Sequence, residues 1–103
     1  MTELYKKMYW NNSFVENTYL VTDHDTVLIE FDNYTSNDGG ASITTSKGTL
    51  KELINYTYHT GQSGSNVAWV HIRYILENAE GATITFNMNG INYGCLESVY
   101  ALD

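Results

Sequence analysis

The stretch from residue 16 to residue 32 constrains the fold more than any other part of this sequence. It holds two short apolar runs separated by a polar turn, Asp23-His24-Asp25. The second run alternates, with one set of side chains on each face: Val27, Ile29 and Phe31 against Leu28, Glu30 and Asp32. A period of two is typical of a β-strand with one face buried and the other in water. We therefore predict a β-hairpin over residues 17–32.

A second hairpin is predicted near the C-terminus. Two alternating runs, 82–88 and 91–96, flank the dipeptide Asn89-Gly90. Asn-Gly between alternating runs is the strongest short signal for a β-hairpin, because both residues accept the positive φ angles of a tight turn. The prediction is a hairpin over residues 82–97, with a bulge at Gly94.

One helix is predicted between these hairpins. Thr49 and Glu52 have the spacing of a capping box, in which each side chain hydrogen-bonds a backbone N–H of the first turn. The residues that follow at helical spacing are Leu50, Leu53, Ile54 and Thr57. Gly61 is a suitable C-terminal cap. These signals predict a helix over residues 50–60.

Three further segments are less clearly patterned. Residues 66–79 fit either a strand or a helix, and their Val, Ile, Trp and Tyr content slightly favours the strand. Residues 2–10 are predicted to form a short strand or an extended arm, and residues 43–45 a short strand. Together the segments predict a single α+β domain over residues 1–103. In it, an antiparallel sheet of about five strands, built mainly from the two hairpins, packs on one helix, or on two if 66–79 is helical.

Composition restricts the environment of the protein. The chain is 43% hydrophobic and 17% charged, as expected of a chain that folds. Its apolar runs are too short to span a bilayer, and residues 1–12 lack the apolar centre of a signal peptide. We therefore expect a cytoplasmic protein. Cys95 is the only cysteine, which excludes an internal disulfide and favours a buried structural thiol.

The acidic residues are unevenly distributed. The net charge is −7, and no Lys or Arg occurs between Met8 and Ser46. That segment contains Glu16, Asp23, Asp25, Glu30, Asp32 and Asp38. A surface of this kind repels nucleic-acid phosphates and attracts a basic protein surface. The alternative interpretation is a solvated acidic face that keeps the protein in solution.

Catalytic and metal-binding motifs are weak. Asp23-His24-Asp25 holds metal-type ligands, but a polar turn is the favoured interpretation, because neighbouring residues of a regular strand point to opposite faces. The glycine-rich stretches lack the Gly-Lys-Ser/Thr ending of a phosphate-binding loop. A small enzyme would have to use His71 or Cys95, with Glu97 as a conceivable partner of His71. No metal, cofactor or catalytic residue is predicted.

Aromatic residues offer a second route to binding. The chain has nine Tyr, two Trp and three Phe, and large rings are favoured both at protein interfaces and in small cores. Tyr56 and Tyr58 leave the predicted helix in different directions, so at least one of them should be exposed.

We therefore predict a non-enzymatic acidic binding or inhibitor protein that engages a basic protein partner. A nucleic-acid-binding protein is the suggested partner, by analogy with phage inhibitors of bacterial defence nucleases that act as nucleic-acid mimics. The predicted binding residues are Glu16, Asp23, Asp25, Glu30, Asp32, Tyr56 and Tyr58. The alternatives are a small-ligand binder, with a pocket between sheet and helix lined by Trp69, His71 and Tyr74, and the small enzyme. Self-association through unpaired strand edges is compatible with all three.

Overall fold

The computed structural model describes residues 1–10, 16–35, 41–60, 67–88 and 93–103. Within these ranges the chain forms eight strands: β1 (Thr2–Trp10), β2 (Asn17–Leu20), β3 (Thr26–Thr35), β4 (Ala41–Thr45), β5 (Thr49–His59), β6 (Ala68–Glu77), β7 (Thr83–Met88) and β8 (Gly94–Ala101). These ranges contain no helix, and therefore none long and apolar enough to cross a membrane. The α+β prediction is wrong, since the described part of the chain is all-β.

The strands form two antiparallel sheets. The larger has the order β1-β8-β3-β6-β5, and the smaller has the order β2-β7-β4. Strand β3, which contains the alternating run of the sequence, lies at the centre of the larger sheet and pairs with both β6 and β8. The position of β3 explains its pattern, because a central strand of a two-layer fold buries one face against the other layer.

The core lies between the two sheets. Val27, Ile29 and Phe31 are fully buried, as the alternation predicts, and they pack with side chains from the smaller sheet. Phe86 of β7 meets Phe31 edge-on, with ring centroids 5.4 Å apart. Fully burying an aromatic or large aliphatic side chain contributes about 1.5–3 kcal/mol, so this layer holds the sheets together.

Neither predicted hairpin forms. Strand β2 pairs with β7 in the smaller sheet, whereas β3 lies in the larger one. Strands β7 and β8 are separated in the same way, and the dipeptide Asn89-Gly90 lies outside the described residues. Alternation identifies a strand and its buried face, but it does not identify the neighbouring strand, which here is distant in sequence.

The predicted helix over residues 50–60 is also wrong, because this segment forms strand β5. It pairs with β6 along its whole length, with a register shift between Glu52 and Ile54. Beyond the shift, apolar and polar side chains alternate from Ile54 to Tyr58 with a period of two. Cross-strand pairing therefore overrides a helical spacing that extends over only two turns.

Other strand predictions are confirmed. Residues 2–10 form β1, residues 43–45 lie within β4, and residues 68–77 form β6 rather than a helix. In β6 alternate side chains point into the core, with Ala68, Val70, Ile72 and Leu76 buried.

Candidate binding face

The face of the five-stranded sheet turned away from the smaller sheet, here called the outer face, carries the candidate site. The strand register places its side chains in rows that cross all five strands. The first row is Trp10, Gly94, Tyr34, Trp69 and Tyr58; the second is Met8, Leu96, Asp32, His71 and Tyr56; the third is Lys6, Ser98, Glu30, Arg73 and Ile54. Because each strand alternates, none of these side chains contributes to the core.

Aromatic rings dominate the first row. Tyr34 stacks on Trp69, with ring centroids 4.6 Å apart, and Tyr93 lies 5.3 Å from Tyr34 on its other side. The Trp69 and His71 rings are nearly parallel, with centroids 6.3 Å apart. This contiguous series of rings remains accessible, since Trp69 and Tyr93 are exposed. Such a series offers large contact area from side chains with few rotatable bonds.

A groove of about 200 Å³ crosses this face between β1 and β6. Its lining includes Met8, Trp10, Trp69 and His71. Gly94 makes room for the Trp10 ring at the groove wall, since a Cβ atom at this position would lie 2.7 Å from Cζ3 of Trp10. Strand β8 begins at Gly94 and pairs in regular register with β1 and β3 from that residue on, so the described pairs show no bulge there. The glycine instead lets the Trp10 ring approach the sheet.

An ion-pair network lies in and beside the groove. Arg73 forms a bidentate pair with Asp32, with N–O distances of 2.8 and 3.0 Å, and its Nε lies 2.9 Å from Glu30. The Nδ1 atom of His71 lies 2.8 Å from Oδ1 of Asp32. Planar guanidinium–carboxylate pairs of this kind fix geometry as well as charge. The network holds the His71 ring beside the groove, and Arg73 offsets one of the two carboxylate charges.

The predicted acidic residues do not form one surface. Glu30 and Asp32 lie on the outer face and are paired with Arg73. Glu16 is exposed just before β2 of the smaller sheet, and Asp23 and Asp25 are exposed in the turn that precedes β3. Sequence proximity placed these residues together, but the chain changes sheet between them.

Tyr56 and Tyr58, in contrast, share the outer face. Both are about half exposed, and they lie beside His71 and Trp69 on the neighbouring strand. Sequence reasoning missed Trp10, Arg73 and Gly94 as parts of the same site. Arg73 could have been found from the sequence, because Trp69, His71 and Arg73 are every second residue of one strand and so share a face. Residues 10 and 94 have no local sequence pattern that connects them with that strand.

Exposed carboxylates collect at one end of the two-sheet structure. The turn at residues 21–25 and the turn at 78–81 are joined by backbone hydrogen bonds. This brings together Asp23, Asp25, Glu80 and Asp103, here called the acidic end. A backbone N–H from Asp25 and the ring of His24, 3.1 Å away, lower the pKa of Asp103. Within the described ranges, no group of three or more His, Cys, Asp or Glu residues has metal-binding geometry.

The residues considered for catalysis are divided between the two faces of the larger sheet, although His71 and Cys95 both border the groove. Cys95 and Glu97 belong to the core face of β8, whereas His71 lies on the outer face of β6, two strands away. Burial raises the pKa of the Cys95 thiol to about 12. A thiol held protonated is a poor nucleophile. Tyr74, predicted to line a pocket with Trp69 and His71, packs against the core on the opposite face and donates to Glu52.

Glu97 is a fully buried carboxyl group that sequence reasoning did not single out as such. The hydroxyl of Tyr5 donates to its Oε1 atom at 2.7 Å, and the side-chain amide of Asn17 lies 3.4 Å from both oxygens. Burial raises the pKa of Glu97, and these hydrogen bonds only partly oppose that effect. The group therefore takes up a proton more readily in the folded protein than in the unfolded chain.

Comparisons of the chain with protein-family models, with curated proteins and with solved structures gave no significant match.

Proposed function

We propose that this protein is a non-enzymatic binding protein that docks the outer face onto another protein and so blocks a surface of that partner. The observation that carries the proposal is the series of accessible rings beside a groove, with Arg73 at its margin. Trp, Tyr and Arg are the residues enriched among those that dominate binding free energy at protein interfaces.

The charge distribution suggests the class of partner. The chain carries −7 overall, while on the outer face Arg73 offsets one of the two carboxylate charges of Glu30 and Asp32. The uncompensated charges at the acidic end act at longer range, where they speed the approach of a basic protein. A basic, nucleic-acid-binding protein of the cytoplasm fits this combination: its cationic surface is attracted at a distance, and its apolar groups dock on the rings.

Capture of partners from host lysate tests the proposal with three baits. The baits are the wild type, the double variant Trp10→Ala/Trp69→Ala and the control Leu20→Ala. Leu20 is an exposed apolar residue of β2 in the smaller sheet, so its truncation removes apolar area far from the outer face. We expect the wild type and the control to retain the same basic protein. The double variant should lose it, since truncating a central aromatic residue commonly costs about 2 kcal/mol or more of binding free energy.

Binding kinetics with the captured partner separate the two parts of the proposal. Neutralising the acidic end with Asp23→Asn and Glu80→Gln should lower the association rate and its salt dependence, whereas Trp69→Ala should mainly raise the dissociation rate. Equal retention by all three baits in the capture experiment would refute docking through the outer face. A captured partner without a basic surface would refute the assignment of partner class.

The groove supports a second candidate function, the binding of a small molecule. Its lining is mostly apolar, with the polar groups of Asp32 and His71 at hand, which is the usual make-up of a ligand pocket. NMR titration against metabolite and nucleotide panels would follow the indole N–H signals of Trp10 and Trp69. Saturable shifts at both indoles would support this function, and unchanged spectra across the panels would rule it out in favour of protein docking.

A further inference from the structure

The described strands leave four sheet edges, and these differ in how well they are protected against further pairing. In the smaller sheet, edge strands β2 and β4 have only 4 and 5 residues. In the larger sheet, edge strand β1 carries exposed Lys6 and Lys7 and a register shift between Glu3 and Tyr5. Short length, lysines and irregularities are the usual devices that prevent an edge from accepting another strand.

Strand β5 lacks most of these protections. It is the longest strand, with 11 residues, and its only partner among the described strands is β6. Its charged residues, Lys51 and Glu52, lie near its start, and the register shift follows them at Leu53. The segment Ile54–Tyr58 carries no charge. Ile54, Tyr56 and Tyr58 are each roughly half exposed on the outer face. An uncharged edge with exposed apolar side chains is a template for an added strand.

We propose that β5 pairs with β5 of a second copy of this chain, in antiparallel orientation about a two-fold axis at Tyr56. The self-complementarity of the segment identifies a second copy as the occupant. In this register Tyr56 faces its counterpart, and Ile54 of each copy faces Tyr58 of the other, so every outer-face pair is apolar. On the opposite side of the strand Asn55 faces Thr57, so every pair there is polar and uncharged.

The pairing joins the two five-stranded sheets into one sheet of ten strands. Cross-strand aromatic–aromatic and aromatic–aliphatic pairs are among the stabilising pairs in antiparallel sheets. The apolar area exposed at Ile54, Tyr56 and Tyr58 is reduced, and no carboxylate or lysine is placed opposite a like charge within the paired segment. The two outer faces then form one continuous surface with two grooves. The pairing goes beyond the proposed function: it uses Tyr56 and Tyr58 at one edge of the outer face and does not involve Trp10 or Trp69.

Sedimentation of the full chain tests the pairing with two matched variants, Asn55→Lys/Thr57→Lys and Asn55→Lys/Thr57→Glu. Asn55 and Thr57 are exposed and point away from the outer face, so both variants should keep the fold and the aromatic rings. In the proposed register, residue 55 of each copy faces residue 57 of the other. The first variant therefore brings two positive charges together at both positions, whereas the second pairs a positive with a negative charge at both.

The expected results follow from that geometry. The wild type should form a dimer with a dissociation constant between about 1 µM and 1 mM, the range of weak to moderate interfaces. The Lys/Lys variant should raise the dimer dissociation constant about tenfold or more, and the Lys/Glu variant should restore or strengthen dimerisation. A wild type that stays monomeric throughout, a Lys/Lys variant that dimerises as well as the wild type, or two variants that are equally impaired would each overturn the proposal. Circular dichroism and melting curves establish that both variants are folded.

Discussion

Two glycines with positive φ angles offer a sharp test of how the chain turns between the sheets. Gly48, with φ +86°, lies in the three-residue link that carries the chain from β4 in the smaller sheet to β5 in the larger one. Gly81, with φ +82°, lies in the turn between β6 and β7. Their φ angles are nearly the same, whereas their surroundings differ.

The difference lies in the space around each Cα atom. A Cβ at Gly48 would lie 2.6 Å from the backbone oxygen of Glu77 and 2.9 Å from Cδ1 of Leu76. At Gly81 the nearest atom is Nζ of Lys47, at 3.9 Å. Alanine at position 81 is therefore destabilising only through its positive φ angle. Alanine at position 48 is destabilising for the same reason and also forces the end of β6 to move.

The two substitutions should therefore have different effects on the free energy of unfolding. A left-handed conformation costs an alanine roughly 1–2 kcal/mol, partly offset by about 0.4–1 kcal/mol from the less flexible unfolded chain, so Gly81→Ala should lose about 0.5–1 kcal/mol. The clash at Gly48 adds about 1–3 kcal/mol, so Gly48→Ala should lose about 2–4 kcal/mol. At about 4–8 °C per kcal/mol for a domain of this size, Gly48→Ala lowers Tm by roughly 10–25 °C and Gly81→Ala by roughly 3–6 °C.

Urea unfolding followed by far-ultraviolet circular dichroism measures both losses. We expect lower midpoints with unchanged slopes, as for two variants of one fold. Equal losses for the two variants would refute the reasoning, because they would mean that the link at Gly48 does not pack against the end of β6.

Three further predictions concern the core and the groove. Phe86→Ala should lose about 3–5 kcal/mol in urea unfolding, because Phe86 is fully buried against Phe31 and Tyr5; a loss below about 1 kcal/mol would contradict the described packing. The pKa of Glu97 is higher in the folded protein than its ordinary value of 4.5. Glu97 therefore contributes most to the free energy of unfolding at pH values below 4.5, and this contribution falls as the pH rises through the pKa of the folded protein. Glu97→Gln should therefore flatten the dependence of the unfolding free energy on pH above 4.5, and identical pH profiles for variant and wild type would be the opposing result. Gly94→Ala should push the exposed Trp10 ring away from the sheet at little cost in stability, and so increase acrylamide quenching of Trp10 in a Trp69→Phe background; unchanged quenching would show that Trp10 does not rest on Gly94.

The sequence predicted strands better than it predicted their arrangement. Alternation correctly marked Val27, Ile29 and Phe31 as one buried face, because the pleat of a strand is a local property. It failed for the hairpins, because pairing depends on the whole fold: Thr2 of β1 pairs with Ala101 of β8, at the other end of the chain. The capping-box pattern at Thr49 misled for a related reason, since a local helical signal competes with ten cross-strand pairs to β6.

The candidate site could be predicted only in part. At least one of Tyr56 and Tyr58 is predicted to be exposed, and in the structure both are exposed on the outer face, although on a strand and not on a helix. The groove could not be foreseen, because Trp10 and Trp69 belong to strands that only the complete sheet order brings onto one surface. A site built across five strands leaves no continuous motif in the sequence.

The acidic segment shows why formal charge is a poor guide to local electrostatics. Between Met8 and Ser46 the chain has carboxylates and no Lys or Arg, which suggests a uniformly negative face. Strand pairing places Glu30 and Asp32 directly opposite Arg73 and His71 of β6, where Arg73 offsets one of the two carboxylate charges. Asp23 and Asp25, in the turn before β3, retain exposed charge at the acidic end. The exposed carboxylates of the acidic end and the rings of the outer face therefore lie in different parts of the molecule, and in the proposed function this separates attraction at long range from docking at short range.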